Sequence, residues 1–318
     1  MQKINSVTTF TILAFFLVSC TTKKSDIPSR LGYPEDTKLL IIHADDLGVT
    51  HSENIASIKG MEETCVNSSS IMVPCPWFTE IATYAKENSS MDFGLHLTLN
   101  SEWPEYKWGP VTHRDSVPSL VDENGHFYPS RSDLKENAKP EEVVIELRNQ
   151  IKKALRAGID VTHLDAHMSA AVSTPEFTEA YMQVGNEFQL PVLLSKDNEV
   201  LDDSKVLALV NDNTVIFDEI LIEDPVDYEK GAAQYYTNVL KSIEPGLNCL
   251  LIHLAYDDTE MQSITGGIEA YGSAWRQADF DYFSSPECKR LLEENNIVLI
   301  TWRELRDKIT RGKSASKI

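Results

Sequence analysis

The sequence predicts an α/β fold, an irregular (β/α) barrel of the TIM-barrel type forming a single catalytic domain. Two observations carry that prediction. Short continuous apolar runs alternate with amphipathic segments of helical period, the pattern of parallel strands covered by helices. Polar residues of metal-binding type then recur at or near the carboxyl ends of those runs, the edge where catalytic groups converge in parallel sheets and barrels. A chain of 318 residues that is 42% hydrophobic has the apolar side chains for a full core.

The first strand is residues 38–44, a run of Leu, Ile, His and Ala ended by Asp45 and Asp46. A mixed segment up to Cys65 reads as helix and 69–73 as the second strand. A helix follows over 77–87, with Trp77, Ile81 and Tyr84 on one face, and 93–99 is the third strand. Periodicity then disappears. Residues 101–139 hold Trp103, Tyr106, Trp108, Phe127 and Tyr128 among prolines, glycines and charges, too aromatic for disorder. An insertion of this length in a compact domain is often a lid or a binding wall; a loop packed on its own aromatics is the competing expectation.

Pro140 opens an amphipathic helix carrying Val143, Val144, Leu147, Ile151 and Leu155, and Gly158 stands where it should end. Residues 161–165 return as a strand. Thr174 and Pro175 supply a cap and a first-turn proline for a helix over 177–188, and 191–194 is a further strand. An apolar stretch at 215–222, a helix over 227–243 and a strong strand at 248–255 follow. Pro286 starts a last unit of helix, strand at 297–301 and short helix from Trp302. One domain is expected over 38–310, with a solvated tail at 311–318.

The other end reads as sorting signal. Lys3, an apolar and hydroxyl run over 10–18, and Leu17-Val18-Ser19-Cys20 resemble a lipoprotein signal spanning 1–19, with Cys20 as the lipidated residue. The run is too short to cross a bilayer. Several acyl chains on one cysteine anchor a protein stably, so the expectation is a cell-envelope protein, on the periplasmic or outer-membrane face, held to the membrane at Cys20. Residues 20–37, polar and marked by prolines, read as a tether. A net charge of −20 repels phosphate backbones and makes nucleic acid an unsuitable partner. Cys65, Cys75, Cys249 and Cys288 have no metal-ribbon or redox spacing and are expected as small core side chains.

The chemistry lies in the polar residues at the strand ends. Asp45 and Asp46 are neighbours in an extended strand and project to opposite faces unless the backbone bends, so they should divide the labour, one as metal ligand and one as base. Capping of the following helix is the competing role. His96 sits between apolar neighbours in a strand. In His163-Leu164-Asp165-Ala166-His167 the spacing of two puts three ionisable groups on one face, a costly arrangement unless a metal or hydrogen bonds satisfy them. Two histidines and a carboxylate leave coordination positions open, the pattern of a catalytic ion, which polarises a carbonyl and lowers the pKa of its water; hydrolysis of an amide or ester follows. His253 ends a strand as general acid for a leaving amine or as a core histidine. His43 projects toward Asp45, in a role left open.

Ala44-Asp45-Asp46-Leu47-Gly48, Gly94-Leu95-His96-Leu97-Thr98 and Thr162-His163-Leu164-Asp165-Ala166-His167, in this order, resemble the YdjC-like carbohydrate deacetylases. The resemblance implies an irregular barrel, a divalent metal ion (zinc or magnesium) and hydrolysis of N-acetyl groups on amino sugars such as chitooligosaccharides. It implies that Asp45 is the catalytic base and that Asp46, His96 and His167 bind the metal. His163 and Asp165 are assigned to substrate binding, and the rings of Trp103 and Trp108 to stacking on sugar faces. The chain departs from the family pattern at His43, where asparagine is common, at Met168-Ser169-Ala170, where further histidines are usual, and at His253-Leu254-Ala255, where His-Pro-Gly is usual. These departures and the insertion bear on the glycan taken. A metal-dependent esterase or amidase on another acyl group, and a non-catalytic glycan-binding surface lipoprotein, are the alternatives; intact Asp45, Asp46, His96 and His167 argue against the second.

Overall fold

The computed structural model describes residues 26–266, 268 and 270–312. Cys20 and the signal before it lie outside the described residues. No helix among the described residues is long and apolar enough to cross a membrane.

One parallel sheet organises the chain. Its strands are β1 (Lys38–Leu47), β2 (Ser68–Ile71), β3 (Phe93–Leu97), β4 (Leu164–Ala166), β5 (Glu219–Ile222), β6 (Gly246–Ile252) and β7 (Ile297–Leu299). The order is β4-β3-β2-β1-β6-β5. Along β1, β6 pairs from Lys38↔Gly246 to Ala44↔Ile252. The other edge of β1 is shared, β7 taking Lys38 to Leu40 and β2 starting at His43↔Ser68. The sheet curls into a half-barrel, and single parallel bridges, Leu164↔Val192 and Ser195↔Phe217, carry it toward closure. The strand expected at 191–194 is only such a bridge. Pro191 has no N–H to give, and the Tyr181 hydroxyl, which donates to Leu164 O and accepts from Leu193 N, occupies groups a longer ladder would use.

Helices cover the sheet: α1 (Ile27–Leu31), α2 (His51–Glu63), α3 (Phe78–Glu87), α4 (Arg131–Asn137), α5 (Pro140–Ala157), α6 (Pro175–Phe188), α7 (Ser204–Leu207), α8 (Pro225–Lys230), α9 (Ala232–Ser242), α10 (Thr259–Thr265), α11 (Ser273–Phe283), α12 (Pro286–Glu294) and α13 (Trp302–Leu305). The expected caps are present: Thr174 accepts from Phe177 N at the start of α6, and Gly158 closes α5 at φ 94°. The single helix expected over 227–243 is two, because Gly231 at φ 109° breaks it between α8 and α9.

Two further differences have plain causes. The expected tether is shorter, since α1 buries Ile27 and Leu31 against Leu39, Ile41 and Ile309. Helix α11 escapes a search for apolar period because its buried face carries Arg276 and Asp279 beside Trp275 and Phe280.

The alternation of β1 explains how the core becomes a site. Leu40, Ile42 and Ala44 point out to residues of α9, α11 and α12. Leu39 and Ile41 point into the barrel with Phe217, Leu247, Cys249 and Trp302. The inward series continues, with a period of two, to His43 and Asp45. On β6 the same alternation runs Leu247, Cys249, Leu251 and then His253. The barrel is thus apolar at the amino ends of its strands and ionisable at the carboxyl ends.

Candidate active site

The bend that two adjacent aspartates require is present. The β1–β2 register shifts between Ala44 and Leu47, and Asp46 has φ 70°, a left-handed conformation that aspartate tolerates better than most residues. Neither aspartate caps α2; Thr50 does, accepting from Glu53 N. Both carboxylates are buried in the wall of a cavity of about 520 Å³, a size usual for small-molecule sites.

Asp46 Oδ1 lies 3.4 Å from His96 Nε2 and 3.3 Å from His167 Nδ1. This oxygen is buried without a hydrogen-bond partner. The three side chains form a cluster able to hold a metal ion. The outward nitrogen of each imidazole is held by a carboxylate: Asp165 Oδ1 is 2.6 Å from His96 Nδ1, and Glu102 Oε2 is 3.0 Å from His167 Nε2. Such carboxylate–histidine pairs fix the tautomer and direct the other nitrogen at an ion. Asp46 Oδ2 accepts from Arg276 Nη2 at 2.8 Å, and Arg276 Nη1 donates to Glu53 at 2.6 Å.

Burial disfavours every charge here, but the neighbours override it. Arg276 and then His167 hold the Asp46 carboxyl well below its usual range. Burial would lower the His167 pKa, yet Glu102 and Asp46 raise it to about 10. The carboxylates around both imidazoles, Asp165 and Asp45 at His96 and Glu102 and Asp46 at His167, favour positive charge at this point, the charge a divalent cation would supply. Two imidazole nitrogens and one carboxylate oxygen converging on an unsatisfied buried atom are a fitting donor set.

Asp45 is placed differently. Its Oδ1 is held by His43 Nε2 at 3.0 Å and by the Ser70 hydroxyl at 3.2 Å, while Oδ2 lies 4.0 Å from His253 Nε2. His43 also meets Asp165 Oδ2 at 2.7 Å and Ser68 Oγ at 2.9 Å. Burial depresses the His43 pKa, but the hydrogen bonds to Asp165 and Asp45 carry it to about 10. His253 has no such partners at its ring; burial pushes it down to about 4, and its backbone N–H donates to Asp279.

The profile of the YdjC-like protein family matches residues 39–294. The chain belongs to the YdjC-like family. It is 31% identical over 287 residues to a carbohydrate deacetylase of Thermus thermophilus, covering 89% of this chain and 98% of that protein. A carbohydrate deacetylase of Thermoanaerobacter pseudethanolicus is 27% identical over 269 residues, covering 85% of this chain and all of that protein. Among solved structures, one from Enterococcus faecalis, provisionally described as a cellobiose-phosphate cleavage protein, superimposes with a TM-score of 0.71 at 25% identity, covering 85% of this chain and 99% of the other.

Within this YdjC-like site, the motif residues Asp45, Asp46, His96, His167 and His253 all reach the cavity wall. Other expected residues do not. Asp165 lies behind His96, its Oδ1 on the ring's Nδ1. His163 sits deeper, stacked on Trp302 at 4.5 Å and packed so closely on Gly94 that a side chain there would strike its ring. His163 and Asp165, expected against the sugar, are thus not among the residues lining the cavity, because shared inward direction does not give equal height along the barrel axis. Of the tryptophans, Trp103 lines the cavity, whereas Trp108 is buried, donates Nε1–H to Asn100 O and braces Trp103 edge-on. Met168 and Ser169, where the family pattern is broken, do face the cavity.

Sequence reasoning missed Arg276, Glu53, Glu102 and Ser70. Arg276 lies on the unread α11. Glu102 adjoins Trp103 in the insertion, where no period marks any residue as inward. Ser70 alone carried a usable signal, two residues beyond Ser68 on an inward face.

Proposed function

We propose that this chain is a metal-dependent hydrolase that removes acetyl groups from N-acetylated amino sugars or their oligosaccharides. The observation that carries the reading is the unsatisfied Asp46 Oδ1 facing His96 Nε2 and His167 Nδ1, with Asp45 beside it on the same cavity. The names of the two relatives above support the substrate class. Nitrogen-rich donors favour zinc or a similar transition ion over magnesium, which prefers oxygen ligands.

Asp46, His96 and His167 would hold the ion. A divalent cation there supplies Lewis acidity, polarising an acyl carbonyl and easing deprotonation of water. The protein's own residues do the rest. His43 and Ser70 fix Asp45 through Oδ1, leaving Oδ2 to accept the proton of the attacking water. His253 begins neutral at pH 7, so it serves the leaving amine only after taking a proton, and Asp45 Oδ2 is the nearby source. Trp103 and the apolar rim offer a face for a sugar ring.

The test is acetate release from short N-acetylglucosamine oligomers, with metal, with chelator, and in Asp46→Ala. Metal-dependent release lost in both controls is expected. Stoichiometric metal binding without acetate would shift the reading to another acyl group, as an esterase or amidase. The segment ending Leu17-Val18-Ser19-Cys20 supports in addition an envelope enzyme acylated at Cys20; Cys20→Ser should then move the protein from the membrane to the soluble fraction.

A further inference from the structure

The imidazoles around the cavity are held in two different ways. His96, His167 and His43 each have a carboxylate on a ring nitrogen. No hydrogen bond holds either ring nitrogen of His253 among the described residues; Asp45 Oδ2 stands 4.0 Å from its Nε2. The sheet does not fix it either. β6 ends at Ile252, the last residue in register with β1, and His253 stands one residue beyond.

Helix α11 takes over where the sheet stops. Asp279 Oδ2 accepts from His253 N at 2.9 Å, and Arg276 O accepts from Ala255 N at 3.5 Å. Asp279 Oδ1 accepts from the Tyr236 hydroxyl of α9 at 2.7 Å. Both side chains are buried, and the Tyr236 ring packs on Tyr282 and Phe283. Given the hydrolase reading above, in which His253 serves the leaving amine, we propose that Asp279, braced by Tyr236, is the positioning residue of His253. It aims the imidazole through the main chain and leaves both ring nitrogens free to take up and release a proton.

The difference in support has a chemical reason. A ligand histidine needs one nitrogen fixed as N–H, which a carboxylate on the ring achieves. A histidine that gains and loses a proton within one turnover is hindered by the same partner. His43 shows why: against burial, Asp165 and Asp45 carry it to about 10, and such a ring keeps its proton rather than passing it on. Anchoring through the peptide N–H gives orientation without fixing the ring's charge.

The experiment compares zinc-loaded wild type with Asp279→Leu, Asp279→Asn and Tyr236→Phe, each checked for folding by circular dichroism. Two substrates are used, an N-acetylglucosamine oligomer and nitrophenyl acetate, whose leaving group departs without protonation. Asp279→Leu should lose about 10–100-fold in kcat on the amide, with KM and zinc affinity within about twofold and the ester rate kept. Asp279→Asn should recover most of that loss, since Oδ1 still accepts from His253 N and the amide N–H can donate to the Tyr236 oxygen. Should Asp279→Leu not fold, Tyr236→Phe carries the same comparison, with a smaller loss on the amide alone. Unchanged kcat on the amide in the folded variant, or a parallel fall on both substrates, overturns the proposal. Histidine ring signals in NMR decide the point apart from turnover. The His253 signal, identified by His253→Gln, should move in Asp279→Leu and return in Asp279→Asn, while those of His96 and His167 stay; an unmoved His253 signal overturns the proposal. If wild type releases no acetate but the His253 signal moves in this way, the hydrolase reading falls and the positioning of His253 by Asp279 stands.

Discussion

Asp165→Asn tests whether a residue that does not line the cavity controls the proposed metal site. Asp165 accepts two short contacts, from His96 Nδ1 at 2.6 Å and from His43 Nε2 at 2.7 Å. Asparagine has nearly the same shape but no charge, and one of its two ends is a donor. Whichever way the amide turns, one imidazole N–H then faces another N–H. Loss of such a carboxylate behind a ligand histidine costs about 10–100-fold in metal affinity, or about 1.4–2.7 kcal/mol. A second effect opposes it. Asp165 is first among the neighbours that, against burial, raise the His96 pKa, and the metal must displace that proton. Wild-type affinity should therefore keep rising as pH rises, while the variant, with a less basic ring, levels off at lower pH. The gap between them should be wide at pH 8 and narrower at pH 6. Titration calorimetry with zinc at both pH values measures this, with circular dichroism to confirm folding. Equal affinities for folded wild type and variant at pH 8 would refute the argument and leave Asp165 a core residue.

The other predictions concern residues whose placement the structure settles. Arg276→Ala removes the cation shared by Asp46 and Glu53, leaving two buried acids unpaired; burial has already raised Glu53 to about 8 despite Arg276. A loss of about 3–5 kcal/mol in denaturant unfolding is expected. Arg276→Lys should recover only part of it, because one ammonium cannot reproduce a planar fork that spans both acids and the Tyr271 carbonyl. Trp103→Ala and Trp108→Ala should differ in kind. The first should raise KM for oligosaccharides, since Trp103 lines the cavity; the second, deleting a buried ring, should cost about 3–5 kcal/mol of stability and touch KM only through Trp103. An unchanged KM in a folded Trp103→Ala protein would count against sugar stacking.

How much of the site is legible in the sequence follows from what a period can encode. A spacing of two identifies residues that share a direction, so the inward series of β6 and the 163–165–167 series can be read from the order of residues alone. Direction is not depth. His163, Asp165 and His167 point the same way, yet one stacks on Trp302 in the core, one holds the His96 and His43 rings and one faces the cavity, because successive inward residues climb the barrel axis by two strand rises. Roles therefore separate along a coordinate the sequence does not mark. The backbone bend at Asp46 is demanded by two adjacent carboxylates but cannot be located from them, since a bulge depends on the partner strand's register as well as the local sequence. Arg276 shows the opposite failure: its helix is hidden because function put a charge on the buried face, so the residue that makes α11 hard to read is the one that ties it to the site. A break in amphipathic period between two otherwise regular units is then itself a signal, and in this chain it covers Arg276 and Asp279, the two charged groups of α11 that hold Asp46 and the His253 backbone.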